Sequence, residues 1–345
     1  MKSAAPALVV ASLAFAQQPH AVRFAQNPLV TQQMSASLGD DINGPSIIRV
    51  PAWVAHPLGR YYLYFAHHKG SYIRLAYADN IAGPWKIHQP GVLDVKDTGL
   101  YRPQPDLPGL AANFYTHVAS PEVAVDEANH RLVMLVHGWY TAGKQWPADP
   151  GEAARWSREN GYGQYTQTTV STDGLHFAVQ PGITARTSYA RVFHWNGTWF
   201  SMSRLGLLSR APNLLGRFDA GPNPFGTGIY AGRVRHVATL LRGAKLYIFF
   251  TAIGDSPERI LLSTIELNSD WQTWQASVPV EVLRPAAAYE CIHLPLTKST
   301  AGEAEGPEQA LRDPGVVEDS GRVVMFYSYC AEQGLAAADV SAFVR

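Results

Sequence analysis

The chain has 345 residues, with 28 basic and 28 acidic side chains, so its formal net charge at neutral pH is zero. That balance gives no overall field that would attract nucleic acid or an anionic membrane, and we expect neither as a partner. Aromatic residues make up 11% of the chain, and short apolar runs are bounded by many of its 29 glycines and 24 prolines. This composition favours an all-β protein built from many short strands.

The first residues resemble an export signal. Lys2 provides a short positive region, residues 7–15 form an apolar stretch, and residues 14–16 have the small-x-small form of a cleavage site. The stretch is too short to span a bilayer. We therefore expect a signal peptide at 1–16 and a secreted or periplasmic mature chain from 17, the alternative being an N-terminus that is merely rich in alanine.

The chain contains two cysteines, Cys291 and Cys330. In an oxidising compartment they could form a disulfide, but their spacing fits two buried thiols as well. Two sulfur ligands this far apart do not indicate a Cys/His metal site.

A unit of short strands recurs along the sequence. Its first copy runs through residues 44–50, 60–66 and 72–78, and a Gly-Pro-Trp turn at 83–85 leads to a fourth strand. Four such antiparallel strands make one blade of a propeller. Further copies open near residues 120, 189, 235 and 312. These spacings predict a single five-bladed β-propeller domain over residues 17–345, rather than a two-sheet sandwich or tandem β-domains.

Three details of the propeller can be predicted. The fifth copy lacks a strand, which residues near 21–30 could supply and so close the ring between the termini. The fourth copy is expected to end near residues 271–274. Surface insertions are expected at 299–309 and at 146–162, the second a possible lid with Trp146, Trp156 and Tyr162.

Polar residues stand where each innermost strand begins, and a propeller brings these positions together at one end of its channel. They are Asp41 and Asn43; His117, Ser120 and Glu122; Tyr189 and Arg191; Arg233, Arg235 and His236; and Arg312 and Asp313, with His67, His68, Tyr289 and Glu290 added from loops. Each also has a structural explanation: Asp313 before a proline can cap a turn, and Glu122 can pair with an arginine. Their convergence nevertheless predicts one pocket at the channel mouth.

Blade one contains Asn-Gly-Pro-Ser-Ile-Ile-Arg-Val at 43–50 and Arg-Tyr-Tyr-Leu-Tyr-Phe-Ala at 60–66, and later blades contain Ser-Pro-Glu-Val at 120–123 and Arg-Asp-Pro-Gly-Val-Val at 312–317. These runs resemble the family 43 glycoside hydrolases and their five-bladed relatives. In that family an aspartate of blade one acts as base, an aspartate of blade two tunes acidity, and a glutamate of blade three is the acid. The resemblance implies the fold and a carbohydrate substrate.

The catalytic pattern of that family is not fully present. The Asp-Pro step of blade one is replaced by Gly44 and Pro45, with Asp41 three residues earlier, and blade three opens on Tyr189 and Arg191 without a glutamate. The family's mechanism therefore does not transfer residue by residue.

Two reactions fit the polar set. A hydrolase needs two carboxyl groups about the scissile bond, for which the candidates are Glu122, Glu290, Asp313 and Asp41. A lyase acting on a uronate uses histidine or tyrosine as base and acid while arginine neutralises the carboxylate, and His67, His68, His117, Tyr189, Arg191, Arg235 and His236 fit those roles. Under either reaction the cationic mouth suggests an acidic sugar.

We predict an exported, glycoside hydrolase-like enzyme that cleaves an oligo- or polysaccharide. The expected catalytic residues are Glu122, Asp313, Glu290, His117 and Tyr189, and the expected substrate-binding residues are Asp41, Asn43, His67, His68, Arg191, Arg235, His236 and Arg312. No cofactor is expected because no spacing indicates a metal site, although channel histidines and carboxylates could hold Ca²⁺ or Zn²⁺.

A uronate lyase is the first alternative, and a carbohydrate-binding propeller is the second. In a binding propeller, surface aromatics such as Trp85, Trp146 and Trp156 would stack on sugar rings. Because the five openings differ from blade to blade, one asymmetric site, and hence an enzyme, is favoured. The sequence contains neither a nucleophile elbow nor a phosphate loop.

Overall fold

A computed structural model describes residues 19–100, 116–140 and 163–344, together with the single positions 149, 152, 155 and 159. The described chain forms five β-sheets whose innermost strands pack beside one another in a closed ring. The predicted all-β, five-bladed propeller is thereby confirmed. The predicted export signal, and Trp146, Trp156 and Tyr162 of the predicted lid, lie outside the described residues.

The strands are numbered in chain order. Two short strands, β1 (Val22–Arg23) and β2 (Val30–Thr31), precede the blades. Blade one contains β3 (Asn43–Arg49), β4 (Tyr61–Ala66), β5 (Tyr72–Ala78) and β6 (Lys86–Asp94), and blade two contains β7 (Ala119–Asp126), β8 (Arg131–Tyr140), β9 (Gly163–Ser171) and β10 (Ala178–Val179). Blade three contains β11 (Arg191–Trp195), β12 (Thr198–Met202), β13 (Leu208–Ala211) and β14 (Asp219–Ala220).

Blade four contains β15 (Val234–Arg242), β16 (Lys245–Ala252), β17 (Ile260–Glu266) and β18 (Val280–Leu283), and blade five contains β19 (Leu311–Asp319), β20 (Arg322–Tyr329) and β21 (Gly334–Asp339). Short 3-10 turns connect them at Gln32–Met34, Ala36–Leu38, Val95–Asp97, Glu127–Asn129, Arg204–Gly206, Trp271–Thr273, Ala288–Glu290 and Ser341–Phe343. Within the described residues, no helix has the length and apolar character needed to cross a membrane.

The N-terminal strands complete blade five, as the sequence predicted. Val22 of β1 pairs with Asp339 of β21, and Val30 of β2 pairs with Leu335 of the same strand. The two ends of the chain therefore close the ring together. A disulfide joins Cys291 to Cys330 beside this closure, which settles the question that their spacing left open.

The start of the innermost strand is bulged in four blades, between residues 43 and 46, 119 and 122, 234 and 237, and 312 and 315. Left-handed backbone accompanies three of these bulges, with φ of 62° at Gly44, 44° at Ser120 and 51° at Asp313. Bulges re-aim side chains and are common beside active sites, and such backbone is costly for residues other than glycine.

Gly44 and Asp313 occupy the same place in blades one and five, since each lies in the bulge and precedes a proline. A Cβ added at Gly44 would lie 3.1 Å from the Cα of Ser120 in the next blade. A side chain at this position of blade one would therefore crowd Ser120. The Asp-Pro step that the family 43 glycoside hydrolases, which the sequence resembles, have in blade one occurs here in blade five.

Two sequence expectations were wrong. Residues 271–274 do not form the last strand of blade four; Trp271–Thr273 is a 3-10 turn, and β18 follows it. Trp85 is not a surface aromatic, because it is 5% exposed and packs edge-on against Phe326 at 5.8 Å between ring centroids. Its indole is therefore part of the core between blades one and five and is not available to stack on a sugar ring.

Candidate functional site

A pocket of about 660 Å³ opens at one end of the channel. This volume lies within the range of about 300–1,000 Å³ that is usual for small-molecule sites. Its wall consists of His68, Lys69, Gln164, Tyr189, Arg204, Arg235, His236, Ile253 and the segment Thr300, Ala301, Gly302, Glu303 and Glu305. The insertion predicted at 299–309 is therefore one side of the mouth, and four predicted site residues, His68, Tyr189, Arg235 and His236, line it.

Tyr189 lies at the centre of a group of imidazoles. Its ring centroid is 4.1 Å from that of His137 and 4.0 Å from that of His236, and its hydroxyl lies 3.2 Å from Nε2 of His68. His117 in turn packs edge-on against His137 at 5.8 Å. Tyr189 has φ of 59°, so a strained backbone presents its side chain to the histidines.

A carboxylate lies behind each of the two pocket histidines. Nδ1 of His236 contacts Oδ1 of Asp313, whose other oxygen accepts a hydrogen bond from the Ser328 hydroxyl at 3.2 Å. Nδ1 of His68 lies 3.3 Å from Oε2 of Glu332. Each imidazole is thus oriented by an acidic group from blade five.

A buried chain of alternating charges connects Arg235 at the pocket wall to the His68–Glu332 pair. Glu258 accepts a hydrogen bond from Nε of Arg235 at 2.8 Å and another from Nε of Arg312 at 3.0 Å. Arg312 also donates to Glu332 at 3.3 Å and to Glu308 at 3.1 Å. Arg312 is completely buried and does not line the pocket, so its role is to orient Glu332. Arg235, by contrast, reaches the pocket wall.

Asp41 and Asn43 support His68 from blade one. Oδ1 of Asp41 accepts hydrogen bonds from Nδ2 of Asn43 at 2.7 Å and from the backbone N–H of His68 at 3.2 Å. Nδ2 of Asn43 also lies 3.0 Å from Nδ1 of His68. His67, which was expected to bind substrate, points elsewhere, towards Asp40 at 3.4 Å, so only His68 of the histidine pair lines the mouth.

Burial and charge give these groups different protonation states. Burial holds the pKa of His137 and of His236 well below the ordinary histidine value, with His117 and Arg235 respectively as the next largest causes. For His68 burial acts in the same direction, but the charge of Glu332 and its hydrogen bond outweigh it and raise the pKa. Burial and the charge of Glu332 raise the pKa of Asp41 to about 8.

The pKa of Glu332 is lowered. Burial opposes this, but the charge of His68, its hydrogen bond and the charge of Arg312 outweigh burial. Glu332 is therefore the ionised carboxylate of this group.

Glu122 and Arg191 lie in the channel rather than at the pocket wall. Nη1 of Arg191 donates to Oε2 of Glu122 at 2.7 Å, and the guanidinium also donates to the carbonyls of Pro45, Pro121 and Val237. The cavity beside them holds about 50 Å³, which suits one or two waters and not a sugar ring. In this arrangement the pair ties together the inner strands of four blades.

Glu290 also lies away from the pocket. Its carboxylate accepts hydrogen bonds from Arg23 and Tyr327 at 2.8 and 2.9 Å and from the backbone of Ala286 and Ala287. It is fully buried and fastens the N-terminal strand to the loop that carries Cys291.

Several polar residues at or behind the mouth were not singled out from the sequence, among them His137, Arg204, Glu258 and Glu332. His137 lies within a strand whose apolar pattern indicates core, and Glu258 and Glu332 stand in loops without a recognisable motif. Arg204 begins a 3-10 turn in which Leu205 has φ of 67°. The strained turn marks Arg204 as a special position, but this strain is visible only in the structure, so the sequence offered no signal for it.

Solved structures share this fold at low sequence identity. A glycosyl hydrolase from Bacteroides ovatus matches with a TM-score of 0.59 and 10% identity over 93% of each chain. The β-1,2-mannobiose phosphorylase of Listeria innocua matches with a TM-score of 0.56 and 11% identity over 94% of this chain and 97% of that chain. A thermostable family-43 glycoside hydrolase matches with a TM-score of 0.50 and 14% identity over 86% of this chain and 88% of that chain. The protein is therefore a five-bladed propeller of the architecture found in family 43 and in mannoside phosphorylases.

Closer similarity is found with a viral protein. The uncharacterized protein R118 of Acanthamoeba polyphaga mimivirus is 31% identical over 342 residues, covering 92% of this chain and 89% of that protein. The chain belongs to the same family as R118. No family model matches the sequence.

Proposed function

We propose that the protein is an enzyme that hydrolyses a glycosidic bond of an anionic oligosaccharide bound at the channel mouth. The observation that carries this proposal is the pocket wall itself, where the Tyr189 hydroxyl contacts His68, its ring packs against His236, and each of these two imidazoles has a carboxylate behind it. The fold shared with proteins named as glycoside hydrolases and phosphorylases supports a saccharide as substrate.

His236 is suited to act as the general base. Because burial keeps its imidazole neutral, it can accept a proton from a water molecule that attacks the anomeric carbon. The contact with Asp313 fixes the orientation of the ring. The Tyr189 hydroxyl is the proposed donor to the leaving oxygen, with His68 as its hydrogen-bonded partner.

An acidic sugar is the proposed substrate class because of the cations at the wall. Within the described residues, no carboxylate forms an ion pair with Arg204, which is exposed and lines the pocket. A guanidinium can bind a substrate carboxylate through two parallel hydrogen bonds. Lys69, by contrast, contacts Glu303 of the insertion.

Product analysis with charged and neutral oligosaccharides tests this proposal. Incubation with glucuronate- or galacturonate-containing oligosaccharides should release reducing ends without new ultraviolet absorbance, and matched neutral oligosaccharides should react far more slowly. Absence of cleavage across both sets, with the substrates also failing to bind, would contradict the proposal.

Elimination is the second candidate, favoured by one specific observation. Apart from Lys69, Gln164 and the insertion with its Glu303 and Glu305, the polar groups of the pocket wall are imidazoles, a phenol and arginines, while Asp41, Asp313 and Glu332 are not among the wall residues. In a lyase, His236 would remove the proton next to the uronate carboxylate and Tyr189 would protonate the leaving oxygen. That reaction creates a conjugated double bond, so ultraviolet absorbance should rise in step with cleavage.

We further propose that the protein is exported. The disulfide between Cys291 and Cys330 supports an oxidising compartment, because such bonds are rare in reducing cytosol. Fractionation of the native host, with N-terminal sequencing of the mature protein, tests this. Cleavage after residue 16 is the expected result, and an intact N-terminus on intracellular protein would contradict it.

A further inference from the structure

Three side chains from distant parts of the sequence meet behind the pocket wall. Asp41 precedes β3, His68 follows β4 and Glu332 follows β20, and one ligating atom from each lies within 4.8 Å of the other two. Nδ1 of His68 and Oε2 of Glu332 are 3.3 Å apart. We call these three residues the Asp-His-Glu cluster.

The distances in the Asp-His-Glu cluster suit a shared metal ion. Bonds of about 2.0–2.2 Å to one ion place its ligand atoms roughly 3–4.4 Å apart. The observed separations therefore need little contraction. The Asn43 amide touches both Asp41 and His68, and turning it about its last bond would exchange Nδ2 for Oδ1 and offer a fourth ligand.

The charges of the cluster also favour a cation. Arg312 neutralises Glu332 at Oε1, which leaves Oε2 directed towards His68 and Asp41. Two carboxylates this close together repel each other when they are shielded from water. A divalent ion would offset that repulsion and would use the imidazole nitrogen as a third ligand.

We propose that Asp41, His68 and Glu332 bind a divalent transition metal ion of the zinc or manganese class. One imidazole and two carboxylates form a mixed nitrogen and oxygen set of three protein ligands, which leaves a coordination position open. Ca²⁺ prefers six to eight oxygen ligands and fits this set less well.

Metal binding would also affect Tyr189, although this part of the inference rests on the function proposed above. An ion on Nδ1 of His68 leaves the ring proton on Nε2, which lies 3.2 Å from the Tyr189 hydroxyl. Outer-shell contacts of this kind orient and tune the groups around a metal. The Tyr189 hydroxyl would then accept a hydrogen bond from His68 and direct its own proton into the pocket.

Calorimetric titration of the full, chelator-treated chain with Zn²⁺ at neutral pH, without substrate, tests the binding. We expect one ion per chain with a Kd of about 1 μM or lower and a rise in thermal midpoint. Asp41→Asn keeps the acceptor oxygen for its two N–H donors, so it should fold while binding Zn²⁺ at least about 100-fold more weakly. His68→Gln serves as a second ligand variant, with circular dichroism confirming the fold of each.

Asp40→Asn is the matched control, since this adjacent carboxylate is exposed and faces His67. It should bind Zn²⁺ as the wild type does. The proposal is overturned if the wild type does not bind Zn²⁺ or Mn²⁺, if Ca²⁺ binds more tightly than both, or if Asp41→Asn and Asp40→Asn bind equally well. Zinc binding without sugar cleavage would contradict only the proposed hydrolase, whereas cleavage by a chain that binds no metal would contradict only this inference.

Discussion

Arg191 of blade three donates a hydrogen bond to Glu122 of blade two at 2.7 Å inside the propeller channel. The guanidinium also reaches backbone carbonyls at Pro45 and Val237, so one side chain connects four inner strands. Glutamate in a Ser-Pro-Glu-Val strand is a candidate acid by sequence alone. Its partner indicates that stability is the main role of Glu122.

Replacing Glu122 by Gln should therefore lower stability more than turnover. Loss of the carboxylate leaves the nearly buried Arg191 without its counter-charge, which costs about 3 kcal/mol or more. Urea unfolding should register this loss, and activity measured well below the unfolding midpoint should persist. Arg131→Gln, which breaks the more exposed pair with Asp126, should cost about 1 kcal/mol or less. A stable Glu122→Gln protein without activity would instead identify Glu122 as catalytic.

Tyr189→Phe and His236→Gln should each reduce kcat by about 100-fold to 10,000-fold. Both groups line the pocket, and this range is typical for removal of an acid or base. Steady-state kinetics on the cleaved oligosaccharide is the measurement. His194→Gln is the control, because His194 is exposed on blade three, which Tyr189 precedes, and packs against Trp199 away from the mouth. Comparable rates in all three variants would show that the reaction does not take place in this pocket.

Arg204→Met should weaken binding of charged substrates selectively. A hydrogen bond to an ionised group contributes about 1.5–3 kcal/mol, so KM for a uronate-containing oligosaccharide should rise by roughly 10-fold to 100-fold. KM for a neutral analogue should stay the same. Arg217→Met, at another exposed position of blade three, controls for loss of general positive charge. An equal change for charged and neutral substrates would argue against a carboxylate bound at Arg204.

Stability should fall as the pH drops below about 6.5. Burial lowers the pKa of both His137 and His236 in the folded chain, so below the ordinary histidine value of about 6.5 the unfolded chain binds protons that the native chain does not. Each histidine then lowers the free energy of unfolding by about 1.4 kcal/mol per pH unit, until the folded pKa is reached. Stability from this source is fully present above pH 7.

Urea unfolding at pH 5, 6 and 7 measures this dependence. His137→Gln removes one of the two titrating groups, so its stability should change less steeply with pH than that of the wild type. Identical slopes for the two proteins would mean that His137 is not held neutral in the fold.

Removal of the disulfide should destabilise the ring closure. The bond between Cys291 and Cys330 closes a loop across 39 residues, for which chain entropy predicts a stabilisation of about 3–4 kcal/mol. The Cys291→Ser, Cys330→Ser double variant should therefore unfold at a lower temperature than the oxidised wild type. Wild type under reducing conditions should match the double variant, and unchanged midpoints in both would show that the bond does not contribute to stability.

Local patterns in the sequence determined the architecture of this protein. Runs such as residues 60–66, bounded by turn residues and repeated at blade spacing, are enough to indicate strands, blades and their number, because strand and turn preferences depend on near neighbours. The same reasoning predicted the strand pairing of the two termini and predicted that His68, Tyr189, Arg235 and His236 line one pocket. It misjudged Trp85, since aromatic residues at turns can be buried by a neighbouring blade as readily as exposed.

Only the tertiary structure decided what the polar residues do. Glu122 and Glu290 looked equivalent to Asp313 as candidate carboxylates, but arginines from other blades bind the first two while His236 contacts the third. Glu332 had no motif at all, yet closing the ring places it beside His68, more than 250 residues away in sequence. A charged group takes its role from its partners and its burial, and ring closure assembles those partners from blades that no local pattern relates.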